Sequence, residues 1–218
     1  MKNGIKFHNG DELKASDVVF SLNRAKKSAA MANRTASVDT VTALDEYTVA
    51  VKTVDVMAAA LNNIAEVEIL SEKIVTEQGD NFGQTNVDAG TGPYYLTSYD
   101  RSTKITMAAY DDYYRGAAKI KNVEYRVMTD SSATLIAFES GELDLITVPL
   151  SNWSEVSNTS NYQTTIVDTT HLSYIALNIN KEPFDNINLR KAIAYAIDKD
   201  AVITAAYEGL AAKADFIL

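Results

Sequence analysis

The chain has 218 residues, 46% of them hydrophobic and 22% charged, which suits a folded protein of one large domain or pieces of two. A net charge of −9 repels phosphate backbones and anionic lipid heads, so nucleic acids and membrane surfaces are poor partners. The absence of cysteine removes disulfides, thiolate nucleophiles and cysteine metal sites together, and no run of about 18 apolar residues is long enough to span a membrane.

In chain order, Ile5 and Phe7 read as the end of a strand and Asn9-Gly10 as a tight turn. Ala15, Val18, Val19, Leu22 and Ala25 then recur at helical spacing, which predicts an amphipathic helix. Ser28 to Ser37 is small and polar and reads as a loop. Val38 to Leu44 and Tyr47 to Thr53 read as two strands joined at Asp45-Glu46. A short helix over Met57 to Ile64 follows, then a strand over Glu66 to Leu70. Ser71 is placed to cap a helix over Glu72 to Gln78, with Gly79 at its end.

Gly90 and Gly92 in GTGPYYL permit positive φ, and Pro93 sets the turn into a strand over Tyr94 to Tyr99. No helix start and no Lys-Ser/Thr follows those glycines, so a phosphate cradle is rejected. Arg101-Ser102 makes a hairpin turn, and Lys104 to Tyr110 returns. Asp111 to Gly116 is a turn. Val123 to Met128 reads as a strand. Thr129 or Asp130 caps a helix over Ser131 to Glu139, which closes at Ser140-Gly141, and Glu142 to Ile146 reads as the next strand. A right-handed crossover with parallel strands is the natural geometry for that unit.

Pro149 to Val156 reads as a loop plus a short helix holding Trp153, and Tyr162 to Val167 as another strand. From His171 to Ile179 both alternating sets are largely apolar, which predicts a strand covered on both faces. The chain turns at Lys181–Pro183. Leu189, Ala192, Ile193, Ala196 and Ile197 form one stripe of a helix that Asn186 or Asn188 caps. Asp198-Lys199-Asp200 breaks it, and a second helix carries Val202, Ile203, Ala206 and Tyr207 as far as Gly209.

Several of these stretches together carry a resemblance. Asn178, Pro183, Phe184, Arg190, Ala192, Ile193, Ala196, Ile197 and Asp198, with Ala206, Tyr207 and Gly209, resemble the signature of the ABC-transporter solute-binding proteins that take up oligopeptides, dipeptides and nickel. The segment IKFHNG…ASDVVFS over Ile5 to Ser21, GTGPYY over Gly90 to Tyr95, and SGELD over Ser140 to Asp144 resemble three further motifs of that family, in its order. Lys14 stands where the family often has a capping Thr. The first turn of the helix is therefore expected either to fray or to be capped by Ser16, at a cost of about 1 kcal/mol.

The resemblance implies a mixed α/β (α+β) fold with periplasmic-binding-protein-like class II lobes, a mixed sheet flanked by helices. It implies an internal segment of a longer protein: 1–84 in the small accessory lobe, 85–178 in the main ligand-binding lobe, and 179–218 at the start of the second. The last residues, AAKADFIL, then lead towards that second lobe. The implied function is the substrate-binding component of an ABC importer, capturing di- or oligopeptides for a membrane permease, with no cofactor and no catalysis. The implied location is periplasmic or lipid-anchored at the cell surface. MKNGIKFHNG has no apolar signal core, so an export signal is expected outside this stretch. Alternatives are a binder of a nickel chelate or other small solute, a peptide-sensing receptor, and, from another class, a hydrolase.

The ligand edge implied by the resemblance is His171, Leu172, Ser173 and Tyr174, where a peptide's main chain would pair by β-augmentation. Thr147 and Pro149 follow the end of an expected strand, where open α/β sheets place ligands. The bland reading of all six is ordinary sheet and loop structure. His8 and His171 lack metal-ligand spacing, so no metal site is expected, and His8 reads as a turn residue. Asp111-Asp112 and Glu142/Asp144 read as solvated charges rather than a catalytic pair, and Asn178 as a hinge residue. No nucleophile elbow is present.

Overall fold

The computed structural model describes residues 1–84 and 89–214, so Thr85, at the first expected lobe boundary, and the final Asp215 to Leu218 lie outside the described residues. The chain divides into two compact units, Met1–Thr129 and Asp130–Leu218. It is a mixed α/β fold, with helices and sheets as expected.

In the first unit, Lys6 bridges to Glu12 across the Asn9-Gly10 turn, and helix α1 (Ala15–Lys26) follows. Leu22 and Ala25 of α1 pack with Val38, Val41 and Val67, and Val18 and Val19 lean on the same cluster. This is the predicted apolar face. The first turn neither frays nor borrows Ser16: the Asp17 carboxylate reaches back and accepts the Lys14 N–H at 2.9 Å. Ser28 to Ser37 is more regular than a loop, with a 3₁₀ turn (Ala29–Met31) and the short helix α2 (Ala32–Thr35).

Strands β1 (Val38–Ala43) and β2 (Val49–Thr53) pair antiparallel with Val41 opposite Val51, as their alternation predicts. Helix α3 (Ala60–Ala65) is present, but Glu66 to Leu70 is not a strand. Its backbone is tied to α1 instead: Leu70 N–H donates to Ser21 Oγ at 2.9 Å, and Glu72 N–H donates to Asp17 Oδ1 at 3.0 Å. Ser71 caps α4 (Glu72–Gln78), accepting from Ile74 N–H.

Strands β3 (Tyr94–Asp100), β4 (Lys104–Ala109) and β5 (Asn122–Arg126) form an antiparallel sheet in that order. Gly90 and Gly92 do not use the positive φ open to them. Their carbonyls are turned to His8 instead. The His8 N–H donates to Gly90 O at 3.0 Å, and Nε2 lies 2.9 Å from Gly92 O. Tyr110 packs edge-on to the imidazole and donates its hydroxyl to Phe7 O at 3.0 Å.

In the second unit, Asp130 caps α5 (Ser131–Glu139) by accepting from Ala133 N–H. The SGELD run is the helix stop. Gly141 takes φ +78°, and Glu142 N–H returns to Ala137 O at 2.8 Å. Helix α6 (Trp153–Ser157) buries Val156.

Among the described residues, the predicted strands over Glu142 to Ile146, Tyr162 to Val167 and His171 to Ile179 are not formed, and no parallel crossover is present. A strand satisfies its backbone only through a neighbouring strand, and no described strand pairs with these segments. His171 to Ile179 is therefore not covered on both faces, and Tyr174 is 68% exposed. Helices α7 (Ile187–Ala196) and α8 (Lys199–Tyr207) form where predicted. Asn186 caps the first, and Asp198 accepts from Asp200 and Ala201 to cap the second. The predicted apolar stripe of α7 is only half-buried at Leu189 and Ile193 and exposed at Ala192 and Ala196.

Candidate functional site

All six residues singled out from the sequence lie in Asp130–Leu218. Thr147 is exposed and lies outside the described helices and strands, after α5. Pro149 is half-buried and starts the 3₁₀ turn Leu150–Asn152, with Asn152 N–H donating to its carbonyl at 2.9 Å. His171 is exposed, and its N–H donates to Thr169 Oγ1 at 3.3 Å. Leu172 is half-buried, while Ser173 and Tyr174 are exposed. No described hydrogen bond joins Thr147 or Pro149 to His171–Tyr174.

Residues 171–178 lie outside the described helices and strands, and no described strand pairs with them. Such a segment suits an extended ligand, because main-chain pairing gives affinity without reading side chains. Neighbouring side chains of alternate residues supply the rest of such a surface.

The hydroxyl of Ser173 lies 2.6 Å from that of Tyr207, at the end of α8. The sequence places Tyr207 on a helix face and in the family signature, with no partner for its hydroxyl. No local signal shows the contact, because 34 positions separate the two residues. Asn178 makes an Asx turn, with Oδ1 accepting from Asn180 N–H at 3.1 Å and its carbonyl from Lys181 N–H at 3.1 Å.

The other candidate groups are structural. His8 links the first strand remnant to the Gly90–Gly92 turn. Asp111 pairs with Lys121 at 2.8 Å and Asp112 with Lys6 at 4.0 Å, on exposed surface. Asp144 is exposed. Among the described residues no cluster of three His, Asp or Glu is placed to hold a metal, and no helix is long and apolar enough to cross a membrane.

Comparison with known proteins names the class. The profile of "Bacterial extracellular solute-binding proteins, family 5 Middle" matches residues 1–217, and the chain belongs to that family. It is 26% identical to the glutathione-binding protein GsiB of Pectobacterium atrosepticum, over 97% of this chain and 42% of that protein. The ABC transporter substrate-binding protein CtaP of Listeria monocytogenes superposes with a TM-score of 0.82 at 28% identity, over 95% of this chain and 44% of that one. DppA of Helicobacter pylori, solved with the peptide STSA, superposes with a TM-score of 0.74 at 26% identity, over 96% and 46%. The chain thus spans less than half the length of these relatives. Family members are substrate-binding components of ABC transporters that take peptides, glutathione or nickel chelates.

Proposed function

We propose that this chain is the middle part of a peptide-capturing component of an ABC importer, which binds di- or oligopeptides outside the cytoplasmic membrane and hands them to a permease. The observation that carries this reading is the match to the solute-binding family over residues 1–217, together with a 171–178 segment that no described strand pairs. The proposed ligand edge is His171, Leu172, Ser173 and Tyr174, and Thr147 and Pro149 are the further proposed ligand residues. Residues 1–84 belong to an accessory lobe, 85–178 to the main ligand-binding lobe, and 179–218 to the start of the second.

Capture needs no covalent step, so the protein is a carrier and not an enzyme. Closure of the lobes around the solute is a shift of population between open and closed forms. The protein works in the periplasm or anchored by lipid at the cell surface. GsiB and the STSA-bound DppA, both similar over nearly all of this chain, support a peptide ligand.

The test is native mass spectrometry of the full-length protein purified without denaturation. A ladder of short peptides released from it is the expected result. A single metal chelate overturns the peptide reading and keeps the carrier. An empty protein with no thermal shift against a peptide library overturns both.

A further inference from the structure

The tyrosine of the A-Y-x-G run has no part in the function proposed above, yet the structure gives its hydroxyl a partner. Ser173 sits in the middle of the candidate ligand edge, and its Oγ is 2.6 Å from Tyr207 Oη. The other described hydrogen bonds of this segment are short-range: His171 N–H to Thr169 Oγ1, Asn180 N–H to Asn178 Oδ1, and Lys181 N–H to Asn178 O. The Ser173–Tyr207 bond is therefore the described tie that holds this edge to an element distant in sequence.

Tyr207 is itself well fixed. Asp198 caps the start of α8 through the N–H groups of Asp200 and Ala201, at 3.0 and 3.1 Å. At the other end Gly209 N–H returns to Ile203 O at 3.2 Å, and Leu210 N–H to Tyr207 O at 2.8 Å. The chain reverses in the left-handed region there, with Glu208 at φ +51° and Gly209 at φ +81°. The phenol is thus presented from a helix closed at both ends.

We propose that Tyr207 is a positioning residue for solute capture: its hydroxyl pins Ser173, and with it the main-chain edge of 171–174, to α8. The inference rests on the proposed ligand edge. A segment outside any sheet loses conformational freedom when a ligand pairs with it, and that cost opposes binding. Holding the edge in place beforehand removes part of the cost. In the lobe assignment above, the bond also joins the main lobe's ligand segment to the first helices of the second lobe.

The test compares Tyr207→Phe, Ser173→Ala and the double variant with Tyr195→Phe, an exposed tyrosine of the neighbouring helix, in the full-length protein. Tyr207→Phe keeps the ring and removes only the hydroxyl. Two readouts are taken: amide hydrogen exchange over residues 172–175 without ligand, and titration with the tetrapeptide Ser-Thr-Ser-Ala and with glutathione. Each single variant is expected to speed exchange about 3- to 10-fold and to weaken the bound peptide by a similar factor. The double variant adds nothing further, because both changes break one bond. Melting temperatures stay at the wild-type value, since both hydroxyls lie near the surface, and Tyr195→Phe changes nothing.

Unchanged exchange in Tyr207→Phe, or additive effects in the double variant, overturns the proposal. So does faster exchange with unaltered affinity for a probe that the wild type binds. A wild type that binds neither probe defeats the peptide reading instead, and the exchange readout then decides alone whether Tyr207 holds Ser173.

Discussion

In Met1–Thr129, Leu22 of α1 closes on Val38, Val41 and Val67, whereas in Asp130–Leu218 the equally regular stripe of α7 leaves Ala192, Ala196 and Ile197 exposed. Both helices follow the same 3.6-residue pattern. The first has two antiparallel strands to lie on. The second has, among the described residues, no sheet beside it. Leu145 at 89% and Tyr195 at 91% exposure mark the same difference. Helical periodicity specifies which side of a helix is apolar, but a separate surface has to cover it.

Charge divides the same way. Residues 1–129 carry 17 carboxylates and 15 cationic side chains, and residues 130–218 carry 12 and 5, so most of the net negative charge sits on the less well-packed unit. Self-repulsion there opposes compaction, and screening by salt relieves it.

The largest expected effect breaks the packed unit. Leu22→Ala, at a site 1% exposed, should cost about 3 kcal/mol in urea unfolding, whereas Ile193→Ala on α7 should cost less than about 1 kcal/mol. Equal losses would show that the two units are packed alike and would end the comparison.

Next comes Asp17→Ala. The carboxylate, in a residue 9% exposed, accepts from Lys14 N–H at the start of α1 and from Glu72 N–H at the start of α4. Its removal leaves both donors unpaired and should cost about 2 kcal/mol. Hydrogen exchange at Glu72 should accelerate with it, and an unaltered amide there contradicts the bridge.

His8→Phe keeps an aromatic ring against Tyr110 and loses the bond to Gly92 O, at about 1 kcal/mol. A thermal melt of the variant reads this directly, and a melt identical to wild type removes His8 from the accounting.

Asp100, in the β3–β4 turn, sharpens the comparison through pH. Its carboxyl is pulled down to about 2, first by the Ser102 hydroxyl, then by the Ser102 N–H and the Thr103 hydroxyl. The folded value lies below the ordinary 3.8, so the turn's contribution is complete above that value and disappears as pH falls towards about 2. In Ser102→Ala the carboxyl should titrate closer to 3.8 by NMR, and an unmoved titration excludes Ser102 as the main cause. The smallest effect is Tyr195→Ala, expected within about 0.5 kcal/mol by thermal melting, since little of that ring is buried to lose.

Much of the helical structure was legible because its signals are local. Ser71 with Ile74, Asp130 with Ala133, and Asp198 with Ala201 are each three positions apart. Gly79 and Gly141 end helices for equally local reasons, since both take positive φ. The hairpins β1–β2 and β3–β4 were legible because their partners are adjacent in sequence. The family was legible from four motifs in order. The candidate ligand edge was proposed from that resemblance, and its one distant tie, Tyr207, gave no sign in the pattern of residues.

Amino-acid order by itself determined where helices start and stop, which faces are apolar, and which family the chain belongs to, because capping, periodicity and turn chemistry act over a few residues. Only the tertiary structure decided that Asp17 serves two helices, that His8 holds the Gly90–Gly92 turn, that no described strand pairs with 171–178, and that Ser173 meets Tyr207. Each depends on a partner between 34 and 84 positions away, or on the lack of one. No local propensity encodes such a partner, because the distance between two groups in the fold is set by the packing of everything between them.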